Sequence, residues 1–159
     1  MTRMLALVPT PIGVGPRYHP PPGIHTPCTS GALRGAPRVH VELFANGRVV
    51  IVPAGVGLRG ARFSFGRVTN ARCRAPLWTT DPSGVVSFTG PARLGDLFEV
   101  WGESFGPKRL ASFHGTVSLF RNGLPVSGDP RRLALRDGDE LVLELGGFVP
   151  PHHSYRFPP

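Results

Sequence analysis

The chain has 159 residues and a formal net charge of +8, from 18 basic and 10 acidic side chains, and Lys108 is its only lysine. That length suits one domain able to bury a core without metal, while 21 glycines and 19 prolines argue for turns and short strands over long helices. Two cysteines without a C-x-x-C exclude a cysteine-rich zinc site or a thioredoxin-type motif, and no apolar run approaches the roughly 18 residues that span a bilayer.

Residues 1–36 lack periodicity and read as a Pro/Gly-rich extended arm. The opening "MTRMLALVPTPIGVG" carries Arg3 and a short apolar stretch broken by Pro9 and Pro11, a poor signal peptide. Pro20, Pro21 and Pro22 make a short polyproline stretch. A single α+β domain is expected over 37–147, and "FVPPHHSYRFPP" is a second irregular tail, 148–159.

The domain opens with "VHVELFANGRVVIVP". Val39, Val41 and Leu43 alternate with His40, Glu42 and Phe44, the two-residue period of a strand. Asn46-Gly47 is the strongest short hairpin signal, because a type I′ turn needs positive φ at both central residues. The pattern returns as "VSLFRNG", so a second hairpin is expected at Asn122-Gly123. Between them "GVVSFTG" reads as a short strand. In "PARLGDLFEVWG", Leu94, Leu97, Phe98 and Trp101 fall on one helical face, with Pro91 before and Gly102 as the stop, predicting a helix of about three turns. "DGDELVLELGG" predicts a turn at Asp137-Gly138 and a last strand with Leu141, Leu143 and Leu145 on one side and Glu140, Val142 and Glu144 on the other. Hairpin, strand, helix, hairpin and strand suggest a small mixed β-sheet with one short helix, a β-grasp-like roll. A small β-sandwich is the alternative if the helix is only a turn.

Few residues carry a chemical signature. His40 and Glu42 share a strand face and offer two metal-ligand types, though a solvated His–Glu pair explains them as well. His152-His153 reads as a surface pair. Ser87, His40 and Asp81 can be assembled into a triad on paper, but no G-x-S-x-G elbow supports it, and neither phosphate-binding glycine motif is present. Asp137, Asp139 and Glu140 sit in a turn signal. The expectation is therefore a protein without catalytic residues or cofactor.

The strongest asymmetry is charge. Residues 38–80 carry seven arginines against Glu42 alone. Within "LRGARFSFGRVTNARCR", Arg59, Arg62, Arg67, Arg72 and Arg74 surround Phe63 and Phe65. One reading is a patch for nucleic acid or another anionic polymer, with arginines on phosphates and aromatics stacking. The other is a basic loop whose phenylalanines share a strand face and anchor it to the core. Cys28 and Cys73, by spacing alone, are either a disulfide or two separate thiols.

The pieces "GIHTPC", "VHVELFANG", "VPAGVGL", "CRAPLWTTDPSGVVSF", "RLGDLFEVWG" and "FRNG" occur in an order that resembles a family of uncharacterised exported actinobacterial proteins, over about residues 23–158. Those proteins carry an H-x-H-A-H-L strand and a C-x-y-x-L-H-T-H-D-x-S-G-x-I-H-x-E segment, whose histidines suggest a metal site on adjoining strands. By that resemblance most of the site has been replaced here. His40 is kept, Arg38 stands at the preceding ligand-like position, Trp78 and Thr80 replace the H-T-H histidines, and Ser87 and Thr89 replace the later histidine and glutamate. A metal at these positions is not expected, since three or four ligands are needed. Both cysteines coincide with the family's two, which implies a Cys28–Cys73 disulfide and a secreted or extracytoplasmic location; free thiols would instead point to the cytoplasm. The resemblance thus implies a non-enzymatic exported or surface-associated scaffold or binding module, with anionic-polymer binding through Arg59–Arg74 as the alternative.

Overall fold

The computed structural model describes residues 13–21 and 27–159. The expectations placed on Arg3, Pro9, Pro11 and Pro22 lie outside the described residues.

The first hairpin forms as its alternation predicts. Strand β1 (Arg38–Ala45) turns at Asn46 (φ 53°) and Gly47 (φ 74°) into β2 (Arg48–Val50). The arginine-rich segment, read from the sequence as a polymer-binding patch or a basic loop anchored by its phenylalanines, makes two small ribbons. Strand β3 (Leu58–Arg59) pairs with β6 (Cys73–Arg74), and β4 (Arg62–Ser64) pairs with β5 (Arg67–Asn70). Then β7 (Leu77–Trp78) and β8 (Val85–Phe88) pair with each other, and β8 joins the first half of β1.

Helix α1 (Leu94–Trp101) starts where the Asp96 carboxylate accepts the Arg93 backbone N–H at 2.8 Å. It stops at Gly102, which takes the left-handed φ of 79° that glycine tolerates. Its eight residues make about two turns, not three. Leu94, Leu97, Phe98 and Trp101 are all buried, as their spacing predicts. A three-stranded ribbon follows, β9 (Phe105–Gly106), β10 (Arg109–Leu110) and β11 (Phe113–His114). The second hairpin joins β12 (Val117–Arg121) to β13 (Leu124–Val126) through Asn122 and Gly123, both at positive φ. The last strand is β14 (Glu140–Leu145).

The seven-stranded main sheet has the order β13-β12-β14-β1-β8-β7, with β2 also paired to β1. The central pair β1/β14 is parallel and the other pairings are antiparallel, so the sheet is mixed. The architecture is α+β. One face of the sheet buries Val39, Val41, Leu43, Leu141, Leu143 and Leu145 with the helix. The other carries His40, Glu42, Glu140 and Glu144, by the alternation of both strands. Among the described residues, no helix is long and apolar enough to cross a membrane.

Cys28 and Cys73 form a disulfide, with Cα atoms 5.4 Å apart. Thr29 bridges Arg74 beside it through two backbone hydrogen bonds of 2.8 and 2.9 Å. The bond closes a loop of 45 residues, which by loop entropy contributes about 4 kcal/mol. The described part of the arm is also pinned elsewhere. Ile51 donates to the Arg17 carbonyl, and the Trp101 indole donates to that of His19 at 3.1 Å.

Candidate functional site

The second face of the sheet is covered by the C-terminal segment 148–159. It has no regular structure, as its prolines predict, yet it is docked along its length. Val149 donates its backbone N–H to Glu144 at 2.8 Å, and Phe148 meets Phe120 edge to face. His152 lies 2.7 Å from a Glu42 oxygen, and the Tyr155 ring stacks on His40 with centroids 3.6 Å apart. Arg38 donates to the Pro158 carbonyl at 2.5 Å and sits over the Phe157 ring. Each partner lies on the even-numbered face of β1 or β14 or its neighbours, so the segment is a strap along the two central strands.

Under the strap lies a polar cluster. His40 and Glu140 are direct cross-strand neighbours in the parallel register, and His40 Nδ1 is 2.7 Å from Glu140 Oε2. His40 Nε2 donates to the Ser83 carbonyl at 2.7 Å, since a carbonyl only accepts. The Asp81–Ser83 turn presents that carbonyl: Asp81 accepts from the Ser83 backbone N–H at 3.0 Å and from its hydroxyl. Gly84 lets the turn approach, because at φ 89° a Cβ there would lie 2.3 Å from the Val41 carbonyl oxygen. Glu42 completes the group, and ligand-type atoms of His40, Glu42 and Glu140 all lie within 4.8 Å of one another.

This environment differs from the solvated His–Glu face. His40 is 5% exposed and Glu140 1%. Burial pushes the Glu140 carboxyl up, opposed by His40 and reinforced by Glu42. Burial acts on Glu42 the same way, but hydrogen bonds to Glu140 and His152 outweigh it, leaving Glu42 lowered. The Glu42 carboxylate raises His152. The sequence pattern placed Glu140 at the turn signal and on the face of the last strand opposite Leu141, as observed, but gave it no partner. Its burial follows from the parallel β1/β14 pairing, for which the local pattern carries no signal.

The positions where the resemblance implied a replaced metal site divide. Arg38, Ser87 and Trp78 do share one cross-strand row of β1, β8 and β7. Trp78 is fully buried against Leu58 and Val68, with its indole N–H donating to the Leu33 carbonyl. The carbonyl of Thr80 accepts from Val68, and Thr89 donates its backbone N–H to Pro76. Ser87 pairs with Arg38, while Asp81 bonds Ser83 and lies 3.6 Å from Arg67. His40 gains its partners from β14 and the Ser83 turn instead.

The arginine segment differs from expectation too. Phe63 lies on β4, but Phe65 occupies the β4–β5 turn at φ 50°, so the two do not share a strand face. Neither anchors the loop: Phe63 is 58% exposed and Phe65 fully so. Arg62 and Arg67 flank them on the same exposed ribbon, and Arg59 and Arg72 are exposed on the neighbouring strand and its approach. Arg74 is not available in the same way, since its guanidinium lies 4.4 Å from the Trp78 ring centroid. A cleft of about 670 Å³ opens beside the ribbon, lined by Tyr18, Ile51, Phe63, Phe65, Arg67 and Asp81 among others. No family model, curated protein or solved structure matches the chain.

Proposed function

We propose that the protein is a non-catalytic, exported binding module that engages an anionic polymer through the β4–β5 ribbon. The observation that carries this reading is the exposure of Phe63 and Phe65 between Arg62 and Arg67, at the rim of an aromatic-lined cleft. Two exposed phenylalanines on a two-stranded ribbon do nothing for the core. Flanked by arginines, they match the combination used on single-stranded nucleic acid, where cations track the backbone and rings stack. The disulfide supports an oxidising compartment. The order of hairpin, helix, hairpin and a central parallel pair supports a β-grasp-like roll.

Titration of a fluorescent oligothymidylate, inorganic polyphosphate and a sulfated polysaccharide at rising salt tests the reading. Affinity should fall steeply with salt for each polymer bound. Phe65→Ala should weaken the oligonucleotide, by about 1–3 kcal/mol per lost stack, and leave polyphosphate unchanged. Equal loss on both would mean that the rings shape the ribbon rather than stack. Absence of binding to all three at low salt would refute the proposal.

A further inference from the structure

We infer that His40, Glu42 and Glu140 form a binding site for a divalent transition metal of the zinc class, roofed by Tyr155 and closed by the C-terminal strap. The inference is independent of the anionic-polymer reading, which uses the β4–β5 ribbon.

Three observations converge on it. The first is orientation. His40 Nε2–H donates to the Ser83 carbonyl, so Nδ1 is the ring nitrogen that faces the two carboxylates. A ring nitrogen fixed by a backbone carbonyl, with the other free to ligate, is the usual outer support of a metal-bound histidine. The second is an orphaned acceptor. Glu140 Oε1 is buried, in a residue only 1% exposed, and has no hydrogen-bond partner. A buried carboxylate oxygen without a donor is costly, and beside a second carboxylate it calls for a cation or a proton. The third is rigidity. His40 and Glu42 are alternate residues of β1, Glu140 is in register on β14, and these are the central strands of the sheet. Three donors held within 4.8 Å by such a frame need little reorganisation to close on an ion.

The donor set selects the metal. One imidazole and two carboxylates suit zinc or a neighbouring first-row ion, whereas magnesium and calcium favour oxygen alone. Three protein ligands leave a fourth position open. His152 lies 2.7 Å from Glu42 and supplies a nearby donor from the strap.

The test uses the full chain, stripped with chelator and titrated with zinc by calorimetry, with cobalt as a visible-spectrum probe. One ion per chain and tetrahedral-type cobalt bands are expected. Glu140→Gln keeps the side-chain shape and replaces the carboxylate with a neutral amide. It should lower zinc affinity by more than the roughly 100-fold that loss of an outer-shell partner can cost, and Glu42→Gln should do likewise. The double variant His152→Ala/His153→Ala should keep a tight site, with the cobalt spectrum altered. Absence of stoichiometric zinc binding would overturn the inference. So would binding that survives Glu140→Gln but is lost with the two tail histidines, because the ion would then sit on the surface pair.

Discussion

The two faces of the central sheet are buried by opposite means. On one, valines and leucines of β1 and β14 meet an amphipathic helix whose buried side chains are nearly all hydrocarbon. On the other, His40, Glu140 and Glu144 are buried beneath a strap with no regular structure. The first face is held by apolar area and close packing, which are non-directional. The second is held by single hydrogen bonds and ring contacts, and polar groups buried that way are tolerated only when satisfied. The contrast separates what stabilises the fold from what is available for chemistry. A face that only needed covering would have been served by leucines.

The contrast can be broken most severely from the helix side. Trp101 is fully buried, contacts Phe98 and donates to the His19 carbonyl, so it joins helix, core and arm. Trp101→Ala should cost about 4 kcal/mol, read as a lowered denaturant midpoint. Next is Gly84→Ala, where the positive φ and the Val41 carbonyl at 2.3 Å leave no room for a methyl group. About 3 kcal/mol is expected from strain and displacement of the turn. Because that turn carries the Ser83 carbonyl, the His40 ring should also lose its orientation, visible as a shifted imidazole resonance. If Gly84→Ala leaves that resonance in place, the turn does not position the ring.

Removal of the strap's ring contact is expected to be milder. Tyr155 is partly exposed, stacks on His40 and meets Phe157 edge to face. Tyr155→Ala should cost about 1–2 kcal/mol, and faster amide exchange should be confined to 148–159 and the even-numbered positions of β1. A loss as large as that of Trp101→Ala would mean that the strap is part of the core. It would then erase the distinction between the two faces.

The helix face was almost wholly legible in the sequence. Val39, Val41 and Leu43 declare a two-residue period, Leu94, Leu97, Phe98 and Trp101 a helical one, and both Asn-Gly pairs a turn with positive φ. These signals are local, and the structure follows them. The strap face was legible only in its alternation. His40 and Glu42 were visible as a pair, but Glu140 joins them through a parallel pairing across 100 residues, with no local code for the partner. The tail histidine and tyrosine that close the cluster belong to a segment whose prolines say only that it is irregular. The ribbon was misjudged for a different reason. Phe63 and Phe65 are spaced like a strand face, but Gly66 follows Phe65, and the chain reverses there with Phe65 in the left-handed region.

That reversal yields the smallest expected effect on stability and a sharp division of labour. Phe65 is fully exposed at a turn where a non-glycine residue already carries positive φ. Its ring buries nothing, so Phe65→Ala should change unfolding free energy by no more than about 0.5 kcal/mol. Phe65→Gly should be neutral or slightly stabilising, because glycine adopts that φ without steric cost. If both variants keep the melting temperature while Phe65→Ala weakens oligothymidylate, the ring is there for a ligand. If Phe65→Ala melts well below the parent, the phenylalanine serves the ribbon, and the arginines beside it need another explanation.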